Sequence, residues 1–309
     1  MGQMEKPTRT HVYQNHHVDS TRWDAITPRA DDIVIATPSK AGTTWTQTIV
    51  GYLLFPDEQF PEPILQMSQW VEQALSPTDA MAKRVEAQTH RRFLKSHLAL
   101  DGIPYRDDTK YIIVCRDGRD ICMSLWNHVA NYSDMFLGLV RDRGDKLGAP
   151  YPPAPDDINA FWRNWCTKGW FDWQNDGWPH WSELHLIQSW WEYRHLPNIH
   201  LVHYANMLMD TPAAIRELAE YLEIAVDDQR VSEIAKIVSF DNMKANSQKF
   251  APAEGRAWKG GGSTFFHKGT NGRWREEISP ENLALYDQAA DRVLSPDCRH
   301  WIENGGPLP

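Results

Sequence analysis

The chain has 309 residues, of which 41% are hydrophobic and 24% charged, and its formal net charge is −9 at pH 7. That length and balance predict a folded chain with a substantial core and exclude a disordered one. The acidic balance argues against an extended nucleic-acid surface and so against a nucleic-acid partner, while leaving room for a local basic pocket.

The four cysteines, Cys115, Cys122, Cys166 and Cys298, lie far apart without metal-type spacing. Buried free thiols in a reducing compartment are the expectation, and no metal is called for. Residues 1–30 are polar, carry no apolar signal region and read as an N-terminal arm or as short elements packed on the edge of the fold. No run of about 18 apolar residues is available to span a membrane, so a soluble, cytoplasmic protein without membrane insertion is expected.

Asp31 to Phe55 is the first strongly patterned stretch. Ile33-Val34-Ile35-Ala36 is too short for a helix and rich in β-branched residues, which predicts a buried strand. Thr37-Pro38-Ser39-Lys40-Ala41-Gly42 follows as a loop. Thr43 or Thr44 is then placed to cap a helix that carries Trp45, Ile49, Tyr52 and Leu53 at helical spacing. A strand, a glycine-containing loop and a helix N-terminus form an anion cradle, because free N–H groups and the helix dipole both favour negative charge. Lys40 adds an ammonium and the threonines add hydroxyls. A phosphate site is the reading from these residues.

Pro56 to Pro63 is a connection, and Met67 to Gln88 contains helical pieces with no evident chemistry. Arg92 to Leu98 predicts a second strand with a polar tip. Tyr111 to Cys115 predicts a third, followed by Arg116 and a helix through Ile121, Leu125 and Val129. Strands alternating with helices predict a single α/β domain over 1–309, with a central parallel sheet flanked by helices. Ligands gather at the carboxyl ends of such strands, which is where Lys40, His97 and Arg116 fall.

Residues 133–157 are rich in Gly, Pro, Asp and Arg and read as a mobile loop. Eight of the 15 tryptophans lie within 161–191. Trp162, Trp165, Trp190 and Trp191 have the pattern of a helical core stripe, whereas Trp170, Trp173 and Trp178 are candidates to wall an acceptor pocket. Ile199 to Tyr204 predicts a fourth strand, Thr211-Pro212 a helix start, and Asp227 to Ser239 a further helix. Residues 255–275, with clustered glycines and basic residues, suit a flap that closes over an anion.

The order Lys40-Ala41-Gly42-Thr43-Thr44-Trp45 lacks the lysine position of the nucleotide-triphosphate loop. It resembles the 5′-phosphosulfate loop of the sulfotransferase family, Tyr-Pro-Lys-Ser-Gly-Thr-Thr-Trp. Arg116 and Ser124, eight residues apart, resemble that family's 3′-phosphate motif. Lys268-Gly269-x-x-Gly272-x-Trp274 resembles its Arg-Lys-Gly-x-x-Gly-Asp-Trp-Lys segment, with His267 in place of the first arginine and Arg273 in place of the aspartate. Lys95-Ser96-His97-Leu98 resembles its Lys-Thr-His-Leu segment. Tyr204 resembles its adenine-contacting tyrosine, and Val238-Ser239-Phe240-x-x-Met243 its Thr-Ser-Phe-x-x-Met segment, with Val238 replacing the threonine.

The resemblance implies a P-loop-like phosphosulfate fold and a co-substrate, 3′-phosphoadenosine 5′-phosphosulfate (PAPS), with no metal. It implies His97 as general base, and Lys40 and Lys95 as cations on the transferring group. It places the donor on Lys40, Ala41, Gly42, Thr43, Thr44 and Trp45, on Arg116 and Ser124, on Tyr204, Phe240 and Met243, and on His267, Lys268 and Gly269. The reaction implied is sulfuryl transfer to a hydroxyl or amine of a small, apolar or aromatic acceptor. A small-molecule kinase would also use a strand-loop-helix site, but needs an acidic magnesium ligand for which Asp117 and Asp120 are the candidates. A nucleotide-binding protein without catalysis would not need His97. Oligomeric state stays open: Arg275 to Ala284 only loosely resembles the family's C-terminal dimer motif.

Overall fold

The computed structural model describes residues 6–309. Four parallel strands form the central sheet in the order β2-β1-β3-β4: β1 Ile33–Ala36, β2 Phe93–Ser96, β3 Lys110–Cys115 and β4 Ile199–His203. Val34 pairs with Leu94 on one side and Tyr111 on the other, and Ile113 pairs with Leu201. All four fall where the sequence places them, within two residues at each end.

Period-two alternation sorts the strand side chains into two cores. Val34, Ala36, Leu94, Ile113 and Cys115 face one cluster, with Trp162, Trp165, Trp190 and Trp191 in it at 0–1% exposure. Ile33, Ile35, Phe93, Ile112 and Val114 face the other, with Ile49 and Val50 from the helix Thr43–Leu54 and Leu218 from Thr211–Tyr221. Helices on both faces leave no strand face in water, which is why β1 reads as an unbroken apolar run. The core tryptophan stripe is where the sequence predicts it. All four cysteines are buried free thiols.

Two segments differ from expectation. Within 133–157, a helix spans Asp134–Lys146, capped by Ser133 Oγ accepting from the Phe136 amide. Val140 on its inner face is fully buried. Gly138 and Gly144 make the composition look like a loop, yet Phe136 and Val140 sit four apart and anchor it. The N-terminal segment is no peripheral arm: Tyr13, Asn15, His16, His17 and Val18 are all buried. Most of the polar groups there are hydrogen-bonded, within the segment or to the carbonyls of Pro179 and His180. Asn15 Oδ1 accepts from the His17 and Val18 amides, and its Nδ2 donates to the His180 carbonyl.

One buried ion pair ties the strand starts together. Arg92, immediately before β2, donates through Nε at 2.7 Å and Nη2 at 2.5 Å to Asp32, immediately before β1. The Arg92 side chain is fully buried and Asp32 is 5% exposed. Removing one partner of such a pair leaves a buried charge uncompensated. Arg92→Met should therefore lower the unfolding free energy by about 3–5 kcal/mol, measured by urea titration. A loss below about 1 kcal/mol would show that the pair is dispensable.

Candidate active site

The loop between β1 and the helix Thr43–Leu54 turns through two left-handed residues, Lys40 at φ 64° and Gly42 at φ 109°. A Cβ on Gly42 would stand 3.0 Å from the Tyr204 ring, so backbone conformation and space both require glycine. Gly42, not a threonine side chain, is the N-cap residue. The Thr43 hydroxyl is engaged with that of Thr37 instead, which braces the two ends of the loop. Amides of the first helical turn have no intrahelical acceptor and face the cavity. Ala41 is the predicted site residue that does not line it; its methyl is buried in the core beneath the loop.

Arg116, just beyond β3, is 6% exposed. Its Nη1 donates to the Lys40 carbonyl at 2.9 Å, while Nε and Nη2 fork onto Asn271 Oδ1 at 3.1 and 2.7 Å. The guanidinium lies 4.5 Å from the centroid of Tyr204, which in turn meets Trp45 edge-on at 5.6 Å. Asp120 Oδ1 accepts from the Gly272 amide at 2.7 Å. The segment 255–275 is thus held at the end of β3 and at the first turn of the helix Gly118–Ala130, and contains a one-turn helix at Gly262–Phe265. Gly269, at φ 65°, lets Phe240 approach so closely that a Cβ would stand 2.6 Å from its ring.

These residues open onto one cavity of about 640 Å³. Lys40, Gly42, Thr43, Thr44, Trp45, Arg116 and Ser124 line it. Tyr204, Phe240, Met243, His267, Lys268 and Gly269 line it as well. Lys95 of β2 and His97 just beyond that strand line the same cavity. The sequence-predicted site residues other than Ala41 therefore meet.

Charge is distributed unevenly around this space. Burial, aided by Arg116 and Lys95, lowers the Lys40 ammonium to about 7, and its Nζ lies 4.1 Å from the Phe265 ring centroid. Burial lowers Lys95 to about 8, opposed by Glu72, and its Nζ lies 4.3 Å from the Trp70 centroid. His97 is pushed well below the usual imidazole range by burial and by Lys95. Its Nδ1 lies 2.7 Å from the Thr37 carbonyl, which can only accept. Nδ1 therefore carries the proton, and Nε2 is left with its lone pair and no hydrogen-bond partner among the described residues.

Beyond His97 the wall is aromatic. Trp181 stacks on His97 at 6.1 Å and Trp70 meets it edge-on at 4.9 Å. From Trp181 the rings continue through His180, His17, Tyr132 and His128 to Phe265 above Lys40. Burial lowers His180 to about 3, and neither of its ring nitrogens has a hydrogen-bond partner among the described residues. Sequence reasoning missed these rings. Trp170, Trp173 and Trp178, expected in the wall, pack elsewhere: against His16 at 4.3 Å, Phe171 at 4.9 Å and Phe161 at 5.7 Å respectively. Trp70 and Trp181 take that place, and their only sequence signal was aromatic character beside polar neighbours. Among the described residues no group of three or more His, Cys, Asp or Glu is arranged to hold a metal ion. No helix among them is long and apolar enough to cross a membrane.

The sequence model of the family described as Sulfotransferase domain matches residues 30–296. The glycolipid sulfotransferase of Mycobacterium bovis (strain BCG / Pasteur 1173P2) is 30% identical over 308 residues, covering 95% of this chain and 94% of its own. Human sulfotransferase 1E1 is 25% identical over 285 residues, covering 88% and 87%. Mouse sulfotransferase SULT7A1, solved complexed with PAP, shares the fold with a TM-score of 0.68 at 20% identity over 92% of each chain. Retinol dehydratase, solved with androsterone and the inactive cofactor PAP, does so at 0.68 and 19% identity, over 90% of this chain and 87% of its own.

The charge pattern makes anion binding pH-dependent. With Lys40 lowered to about 7, the cation is present below that pH and lost above it. Inorganic sulfate keeps its own charge over this range, so its affinity should fall from pH 6 to pH 9, by at most about tenfold per unit above pH 7. Lys40→Ala should remove the part of the fall that sets in at about pH 7 and leave that of Lys95 from about pH 8. Calorimetric titration checks both, and a flat profile in the unmodified protein would remove Lys40 from the anion site.

Proposed function

The chain belongs to the sulfotransferase family, and on that premise we propose that it moves the sulfuryl group of PAPS to a hydroxyl of an amphiphilic acceptor, with His97 as general base. The observation that carries this is His97 itself: Nδ1 is committed to the Thr37 carbonyl and Nε2 is proton-free, in a cavity it shares with Lys40 and Lys95. The PAP complexes of the structural neighbours support the choice of donor.

The 5′-phosphate fits the amides of Gly42, Thr43 and Thr44 at the helix start, and the 3′-phosphate fits Arg116 and Ser124. Trp45, Tyr204 and Phe240 offer rings to the adenine. In the transfer, the acceptor oxygen bonds to sulfur as the bond from sulfur to the 5′-phosphate oxygen breaks. The hydroxyl proton passes to His97 Nε2. Lys40 meets the charge that develops on the departing phosphate, and Lys95 meets that on the sulfuryl oxygens. A neutral His97 starts in the form a base requires. The donor's negative charge offsets the cations that depress it, so basicity rises when the site is filled.

Phosphoryl transfer is less well supported. Asp117 is paired with Arg119 at 2.8 Å, and Asp120, which lines the cavity, already accepts from Gly272 through Oδ1, so a single carboxylate oxygen is left to meet magnesium. For the acceptor, the inner wall offers imidazoles, whereas the rim offers apolar surface: Met135 and Leu139 of the helix Asp134–Lys146 are 55% and 47% exposed. A hydroxyl-bearing head inside with an apolar tail across the rim matches that gradient, and a relative is named for glycolipids.

His97→Ala should cut turnover by about 10²–10⁴-fold and still bind PAP. At 100 times its dissociation constant PAP adds about 2.7 kcal/mol, a thermal shift of roughly a few degrees. Full activity in that variant would overturn the role of His97, and a shift with ATP and magnesium but not with PAP would favour phosphoryl transfer. For the acceptor, kcat/KM should rise along a series from methyl to dodecyl glucoside, by at most about fourfold per methylene. Leu139→Glu should weaken that rise. Equal rates along the series would rule out the tail contact.

A further inference from the structure

We propose that Glu72 is a positioning residue for sulfuryl transfer, one carboxylate that sets the places of His97, Trp70 and Lys95 together; the proposal rests on the reading of His97 as base. Glu72 is fully buried and is not among the residues that line the cavity. Its Oε1 accepts from the His97 amide at 2.6 Å, from the Trp70 indole at 2.7 Å and from the Ser96 hydroxyl at 3.1 Å. Its Oε2 accepts from the Trp23 indole at 3.1 Å.

Each of the first three bonds fixes a different part of the site. The amide bond holds the backbone of the base where β2 ends, a place where ladder pairing no longer does so. The indole bond turns Trp70 so that its ring stands at 90° to His97, with centroids 4.9 Å apart. The same ring carries the Lys95 ammonium 4.3 Å from its centroid. The Ser96 bond closes the tip, since Ser96 Oγ also accepts from the Leu98 amide at 3.1 Å. A turn of Trp70 would therefore displace both the wall beside the base and the seat of the second cation. A misplacement of about 1 Å typically costs on the order of 100-fold in rate.

Chemistry favours a carboxylate over any neutral group at this position. All four partners are donors, and an ionised carboxylate is acceptor-only, with lone pairs for each of them. Glutamine would present an NH₂ group to donors on one side or the other. It would also remove the negative charge that acts on Lys95, beside which stand the cation Lys40 and the imidazoles His97 and His128. Burial pushes the Glu72 carboxyl above its ordinary range, and the donors pull it back. Fold alone does not call for this arrangement, because an apolar side chain facing a differently packed Trp70 would avoid the burial of charge altogether.

The test separates position from stability by using the two oxygens. Glu72→Gln and Trp70→Phe should each lower kcat by about 10–100-fold, with the PAP dissociation constant unchanged within twofold. Their combination should be no slower than Glu72→Gln alone, since both break one linkage. Trp23→Phe removes a buried hydrogen bond to the same carboxylate on the side away from His97. It should lower the melting temperature and leave kcat within twofold. Equal kcat loss in Trp23→Phe and Trp70→Phe, or a Glu72→Gln enzyme within threefold of the parent, overturns the proposal. Should Glu72→Gln fail to fold, the contrast between Trp70→Phe and Trp23→Phe decides alone. A parent protein that binds PAP but transfers no sulfuryl group to any alkyl glucoside, alcohol or phenol overturns the reading of the base itself, and this proposal with it.

Discussion

Three cations, Lys40, Lys95 and Arg116, converge on one cavity where buried negative charge does not balance them. Arg116 and Lys95 both depress Lys40, and Lys95 depresses His97. Like charges this close are tolerated only because local devices carry part of the cost: the Phe265 and Trp70 rings under the ammonium groups, and the Tyr204 ring and Asn271 at the guanidinium. The arrangement favours an anion, and on the reading proposed above a multiply charged donor would offset the three cations more strongly inside a buried cavity than at the surface. The parallel sheet is what makes this convergence possible, since all four strands end on the same side.

Much of the donor side was legible in the sequence because it is local. β1, the loop and the helix after it lie within about two dozen residues, and their pattern dictates backbone shape directly. Arg116 and Ser124 were legible for the same reason, as a strand end and one side of the following helix. The error at Thr43 is instructive. Composition favours a threonine cap, but the backbone enters the helix through a left-handed Gly42, and the hydroxyl is spent on Thr37. The error at Ala41 is of the same kind: a residue inside the motif turns its side chain to the core.

The acceptor side was not legible because it is assembled from segments far apart in the chain. His17, Trp70, Tyr132, Trp181 and Phe265 come from five separate stretches, and no spacing rule connects them. Composition even pointed the wrong way. The tryptophan-dense stretch supplies a single wall tryptophan, Trp181, beside His180, while much of the polar N-terminal segment is packed in the interior. Its burial depends on hydrogen bonds to a loop about 165 residues away, such as that from Asn15 Nδ2 to the His180 carbonyl, which no local rule foresees.

The Arg116 fork joins the end of β3 to the flap. Its Nε and Nη2 are filled by Asn271 Oδ1, and Nη1 by the Lys40 carbonyl. On the reading proposed above, a phosphate would have to take the place of an amide oxygen instead of meeting a bare guanidinium. Occupancy of the guanidinium and the seating of residues 270–272 are then one variable, because a single side chain holds both.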